Sequence, residues 1–221
     1  MNGIDLAVSS GEIVAIFGPN GAGKTTLIKI LSTLVKPTSG GLQFGDVDAF
    51  GNVQSVRPSV GLVLHEPLAY LDLSPYENLR FFGQLYGVDG LAQRINQLLA
   101  DVGLTAFAHE PIKFFSRGMT QRFMIAKALI HNPMLLLFDE PFSGLDVAAK
   151  QFMLTLIGQQ RERGKGVILT THDIALGYLA SSRFLFLLDG QIEAVGTKDE
   201  IEVEALSHLY ESRLEHGRAL D

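Results

Sequence analysis

Within the stretch Gly18-Pro19-Asn20-Gly21-Ala22-Gly23-Lys24-Thr25-Thr26, four residues have the types and spacing for phosphate chemistry. Gly18, Gly23, Lys24 and Thr25 fill the pattern G-x-x-x-x-G-K-[ST]. Glycine lets successive backbone N–H groups turn onto one anion, and a helix beginning here aims its positive end at the same point. Lys24 is spaced to neutralise β- and γ-phosphates, and the Thr25 hydroxyl to ligate Mg²⁺. Much later, Asp139 and Glu140 follow the apolar run Met134 to Phe138. An Asp there suits a hydrated Mg²⁺, which needs few protein carboxylates. Glu140, one residue further out, can polarise a water beside the γ-phosphate. An Asp-Glu pair after a strand is ordinary by itself; the upstream phosphate loop is what gives it a role. Together these residues imply a nucleoside triphosphate site.

Elements must exist to hold them. Ile13 to Phe17 is an apolar run of strand length leading into the loop, and Leu27 to Leu31 reads as helix, stopping near Val35 because Pro37 cannot continue it. Ile4, Leu6 and Val8 alternate with other residues as in a half-buried strand, and Gly40 to Gly45 reads as another short strand. Val60 to Leu64 is a fourth, ending at His65-Glu66-Pro67. Ser74-Pro75-Tyr76-Glu77 has the cap, the first-turn Pro and the Glu of a helix start. Leu91 to Val102 and Met119 to Ile130 continue a mainly helical block. Met134 to Phe138, apolar at every position, reads as a strand buried on both faces. Asp146 can cap a helix reaching about Gln160, and Val167 to Thr170 is the next strand. Asp189-Gly190 between two apolar runs signals a hairpin, and a helix from Lys198 to about Leu214 closes the chain. The expectation is a single α/β domain with a mainly parallel sheet, a small antiparallel part and an inserted helical lobe. Its core would be 1–66 and 132–221, its lobe about 67–131.

Bulk properties narrow the class. The 221 residues are 47% hydrophobic, enough for a full core, and the net charge of −6 disfavours a nucleic-acid partner. Without Cys there is neither a disulfide framework nor a thiolate metal site, which suits the cytosol. No apolar run is long enough to span a membrane, and no basic-then-apolar leader opens the chain.

Phe115-Ser116-Arg117-Gly118-Met119-Thr120-Gln121-Arg122, just upstream of the Asp-Glu strand, resembles the LSGGQ segment of ABC transporter ATP-binding subunits. Ser116 and Gly118 are retained; Phe115, Arg117 and Met119 replace Leu, Gly and Gln. Ser116 can still cap a helix whose positive end faces an anion. Ser143-Gly144-Leu145-Asp146 is similar to the family's SALD segment at the dimer contact, and His172 to its switch histidine. The resemblance covers nearly the whole chain. It implies that ATP and Mg²⁺ are bound and ATP hydrolysed, with Glu140 and His172 catalytic and Thr25, Asp139 and His65 on the metal side. It also implies a homodimer in which Ser116, Arg117, Gly118, Met119 and Asp146 of one copy complete the other's site. A separate membrane-spanning partner would place the chain in the cytoplasm, on the inner face of the cell membrane.

Two departures qualify it. His65 stands where the family usually has Gln; with Ser116 to Met119 it is similar to the haem exporter of cytochrome c maturation. The residues before Phe17 contain no aromatic to stack on adenine, so either the true start lies upstream of Met1 or other contacts hold the base. An unpaired sheet edge is expected there. Two other readings stay open: a soluble ABC-type ATPase acting on nucleic acid or ribosomes, and a transporter ATPase for another cargo such as drug or lipid.

Overall fold

A computed structural model describes residues 1–218 of the chain. Its centre is β1 (Ile13–Phe17), with every residue buried. The phosphate loop leads from it into α1 (Lys24–Leu31). Next come the two-residue strands β2 (Gln43–Phe44) and β3 (Val47–Asp48), the short α2 (Val53–Val56) and β4 (Val60–Val63). Three helices follow, α3 (Pro75–Leu85), α4 (Leu91–Asp101) and α5 (Arg117–Leu129). The chain then alternates β5 (Leu135–Asp139), α6 (Val147–Glu162), β6 (Gly166–Thr171) and α7 (Ile174–Ala180). It closes with β7 (Arg183–Leu188), β8 (Gln191–Thr197) and α8 (Val203–Arg218).

The main sheet has the order β4-β5-β6-β1-β7-β8. All neighbours are parallel except β7 and β8. Helices cover both faces of such a sheet, so β1, β5 and β6 read as unbroken apolar runs instead of alternating. The exception is explained by the turn: Asp189 and Gly190 both have positive φ, at 44° and 77°, the backbone that a two-residue hairpin requires. Because β1, β5 and β6 are adjacent and parallel, their carboxyl ends open at one rim of the sheet, where α/β folds bind ligands.

Differences from the sequence reading are local. α1 ends at Leu31 instead of near Val35. Thr33 takes a left-handed φ of 60°, and the Leu34 N–H bonds back to the Lys29 carbonyl at 2.9 Å, so the helix is closed before Pro37 matters. Residues 4–8 do not form a strand. Ile4, Leu6 and Val8 still turn inward onto the apolar cluster that holds Leu42 and Phe44. Alternation fixes which way side chains point; a ladder also needs a neighbouring backbone, and β2 is paired with β3. A groove of about 740 Å³ remains between 6–10 and 41–45, floored by Leu135 and Ile168. α7 was not anticipated at all; it is short, and Asp173 caps it by accepting from the Leu176 N–H at 3.0 Å. The last helix runs four residues past the expected Leu214, to Arg218.

The helical block is built as its start signal suggests. Ser74 accepts from the Glu77 N–H at 3.3 Å while Glu77 Oε2 accepts from the Ser74 N–H at 2.8 Å, so the helix start is satisfied in both directions. Leu79, Ile95, Leu98 and Phe123 are fully buried and share one apolar cluster with Phe17 and Phe138 of the sheet. This packing sets where α5 lies, because α5 presses on β4 at Gly61. A Cβ at Gly61 would sit 2.6 Å from the Ala128 carbonyl oxygen and 2.7 Å from Leu136 Cδ2. Gly61→Ala is therefore expected to destabilise the fold by about 1–3 kcal/mol through overpacking, read as a lower urea midpoint at constant m-value.

Candidate phosphate-binding and hydrolytic site

The loop between β1 and α1 is shaped by close backbone approaches. A Cβ at Gly18 would lie 2.4 Å from the Leu187 carbonyl oxygen, so no other residue fits without moving β7. Gly23, at φ 103°, starts α1 in a left-handed conformation that a side chain would strain. Lys24 is buried with 6% of its surface exposed. Its Nζ donates to the carbonyls of Gly18 at 2.6 Å and Pro19 at 3.2 Å, and stands 3.3 Å from Glu140 Oε1. The contact with Glu140 is an ion pair without hydrogen-bond alignment, because Oε1 is buried with no hydrogen-bond partner. A buried ammonium and an incompletely satisfied carboxylate, side by side, are costly unless a polar ligand or water shares them.

Across the rim, Thr25 Oγ1 donates to Asp139 Oδ2 at 2.7 Å, and Thr170 Oγ1 donates to Asp139 Oδ1 at 2.7 Å. Asp139 is 3% exposed, so both carboxylate oxygens are fixed by hydroxyls from β6 and α1. Glu140 has φ 52°, a left-handed backbone unusual for its type. It is held there by its N–H, which donates to the Thr170 carbonyl at 3.1 Å and to Thr170 Oγ1 at 3.2 Å. His172 Nδ1 lies 3.0 Å from Glu140 Oε2, with 59% of its side chain exposed. The imidazole is oriented by the carboxylate.

Sequence reasoning assigned no part to Thr170 or Tyr210. Thr170 is paired with Asp139 only by the β5–β6 register, which no local motif encodes. Tyr210 of α8 is buried and stacked on Phe186 at 5.6 Å. Burial, helped by the negative charge of Glu140, pushes its phenol pKa up. The closing helix thus packs Tyr210 back against β7 of the sheet.

The other expected residues lie apart. Ser116 caps α5, accepting from the Met119 N–H at 3.3 Å. With Arg117, Gly118, Gly144 and Asp146 it lines a groove of about 540 Å³ that shares no residue with the phosphate loop. Asp146 caps α6 there, accepting from the Ala149 N–H at 2.7 Å. His65 follows β4 and makes no hydrogen bond or ion pair among the described residues.

The donor set suits a hard cation held only in part by protein. Thr25 and Asp139 offer oxygens to one side, and no cluster of three His, Cys, Asp or Glu among the described residues holds a metal unaided. Mg²⁺ keeps waters and takes phosphate oxygens, which is what such a half-set needs. A phosphate loop after a central parallel strand, with a hydroxyl and imidazole at the end of the adjoining strand and an Asp at the end of the strand beyond it, defines a nucleoside triphosphatase of the phosphate-loop class.

Comparison with known proteins narrows this class. The ABC transporter family matches residues 1–143. A fluoroquinolones export ATP-binding protein of Mycobacterium tuberculosis is 36% identical over 203 residues, covering 92% of this chain and 67% of that protein. The linearmycin resistance ATP-binding protein of Bacillus subtilis is also 36% identical, over 91% of this chain and 65% of its own length. The chain thus spans about two thirds of these relatives. Among solved structures, an ATP-binding subunit of an ABC transporter superposes with TM-score 0.80 at 32% identity, covering 88% of this chain and 82% of that one. The dimeric ATP-binding cassette MJ0796, in a post-hydrolysis state with ADP and Pi, gives 0.79 at 28% identity, covering 87% and 88%. The chain belongs to the ABC transporter family and is one of its ATP-binding domains, an ATPase class. No helix among the described residues is long and apolar enough to cross a membrane.

Thr170→Val keeps volume but leaves the Glu140 N–H with only the Thr170 carbonyl and removes one donor from Asp139 Oδ1. It is expected to cost about 1–3 kcal/mol of stability and to lower ATP turnover, measured by thermal melts and phosphate release.

Proposed function

We propose that the chain is the ATP-hydrolysing subunit of a transporter, acting as a homodimer against a separate membrane-spanning partner. The supporting observation is a division within one chain. Lys24, Thr25, Asp139, Glu140 and His172 gather at one rim of the sheet, whereas Ser116, Arg117 and Gly118 line a groove with none of them.

In this reading, the N–H groups of Gly21 to Thr26 and the Lys24 ammonium take the β- and γ-phosphates. Thr25 and Asp139 hold Mg²⁺, which supplies charge neutralisation at the phosphate oxygens. His65 reaches the same side through water. Glu140 orients the attacking water and accepts its proton as the water oxygen bonds to the γ-phosphorus and the β–γ bridge breaks. His172, steadied by Glu140, contacts the γ-phosphate. From the second copy, Ser116 and the first-turn N–H group of Gly118 cover that phosphate, with Arg117 and Met119 beside them and Asp146 on the contact loop. ATP favours the closed dimer because only that state makes both sets of contacts; hydrolysis removes the preference.

The helical arm of 67–131 carries Ser116 and, by the same reading, meets the partner on the inner face of the membrane. Leu68, Tyr70, Leu71 and Phe81 are exposed apolar residues on that arm. For cargo we favour an amphiphilic organic molecule, as in the names of the fluoroquinolone and linearmycin relatives. Haem export for cytochrome c maturation rests on His65 and the Ser116 to Met119 pattern alone. Purification from membranes with the partner attached tests the assignment, and transport by the reconstituted pair identifies the cargo. Tight nucleic-acid binding without membranes would instead favour a soluble ATPase.

Glu140→Gln is expected to retain ATP and accumulate as dimer, with turnover down about 100-fold or more. Undiminished phosphate release would remove Glu140 as base. Ser116→Arg is expected to bind fluorescent ATP as a monomer and fail to dimerise. ATP-dependent dimerisation at the parental level, by light scattering, would count against a site shared between copies.

A further inference from the structure

Lys127 lies in the last turn of α5, three turns from Ser116. Its Nζ donates to the Leu68 carbonyl at 2.7 Å and stands 4.8 Å from the centre of the Phe82 ring. Among the described residues it has no carboxylate partner. The side chain is half-buried, and that burial holds its pKa down at about 8. The carbonyl and the ring face are therefore its main compensation.

Leu68 belongs to the segment that follows His65 and carries the exposed apolar surface. The far side of this segment is fixed independently. Asn78, fully buried on α3, accepts from the Tyr70 N–H at 3.0 Å and donates to the Tyr70 carbonyl at 2.9 Å. Tyr70 stacks near Phe82 at 6.3 Å and meets Phe81 edge-on at 5.2 Å. Residues 70–74 are thus tied to α3 through Asn78, while Leu68 is tied to α5. A straight helix transmits displacement along its length, and roughly 16 Å of α5 separates Lys127 from Ser116.

We propose that Lys127 is a positioning residue that couples the Ser116 end of α5 to the apolar segment 68–73, so that ATP-driven closure reshapes the surface offered to the membrane partner. The proposal rests on the dimer reading above. It places the link in one side chain: its ammonium pulls on the Leu68 carbonyl, and Phe82 keeps the ammonium from swinging into water.

Hydrogen exchange at the Tyr70 and Leu73 amides tests it in Glu140→Gln protein, with and without ATP. In the Lys127 parent, ATP is expected to change these rates by about tenfold, the scale of one charge-assisted hydrogen bond. Lys127→Met is expected to dimerise with ATP yet lose that response, and Lys127→Arg to regain it. A merely structural lysine would give faster exchange with and without ATP alike, the ATP response surviving; that result overturns the proposal. So does a parent that dimerises without any response in 70–73. A parent that does not dimerise with ATP overturns the dimer reading first, and the coupling with it. Should Lys127→Met not fold, Phe82→Leu removes only the ring face. It is expected to weaken the response, and an unchanged response overturns the proposal.

Discussion

The bond that the rest depends on is the pair of hydroxyls holding Asp139. Thr25 on α1 and Thr170 on β6 each donate to one carboxylate oxygen at 2.7 Å. A buried carboxylate is tolerated only when its oxygens are satisfied, so these two bonds lock three elements at one rim. Thr170 then does a second task with the same hydroxyl, accepting from the Glu140 N–H. The left-handed Glu140 backbone follows from that bond, and the carboxylate is thereby aimed at Lys24 and His172. The site is preorganised by strand register more than by its own loop.

This arrangement also explains the burial of Lys24. An ammonium 6% exposed would be expensive with apolar neighbours, but two loop carbonyls and Glu140 surround it. The charges are compensated without being saturated, which leaves the pair responsive to an incoming anion. By contrast Ser116 and Asp146 cap α5 and α6 as acceptors, and their groove is a second, separate feature.

Much of this was legible because phosphate chemistry constrains residue types at short range. Gly18, Gly23, Lys24 and Thr25 must be close in sequence, since one loop must present them all to one anion. The helix start at Ser74 was equally plain, because cap, Pro and Glu act within four residues. The Asp189-Gly190 hairpin could be seen for the same reason. The expected strand at 4–8 did not form, because its alternation spoke of side-chain direction and was silent on a ladder partner. The end of α1 was misplaced because Thr33, a residue seldom left-handed, closes it.

By itself, then, the sequence determined the chemistry of the phosphate grip, the parallel core strands and the starts of α3, α4 and α6, all of which depend on neighbours along the chain. Only the tertiary structure decided what lies across it. Thr170 reaches Asp139 through β5–β6 register, Tyr210 comes back from α8 to stack on Phe186 of β7, and Lys127 meets Leu68 from another element. Those contacts join residues tens of positions apart, and their partners are selected by how the sheet and helices pack, which no short pattern records.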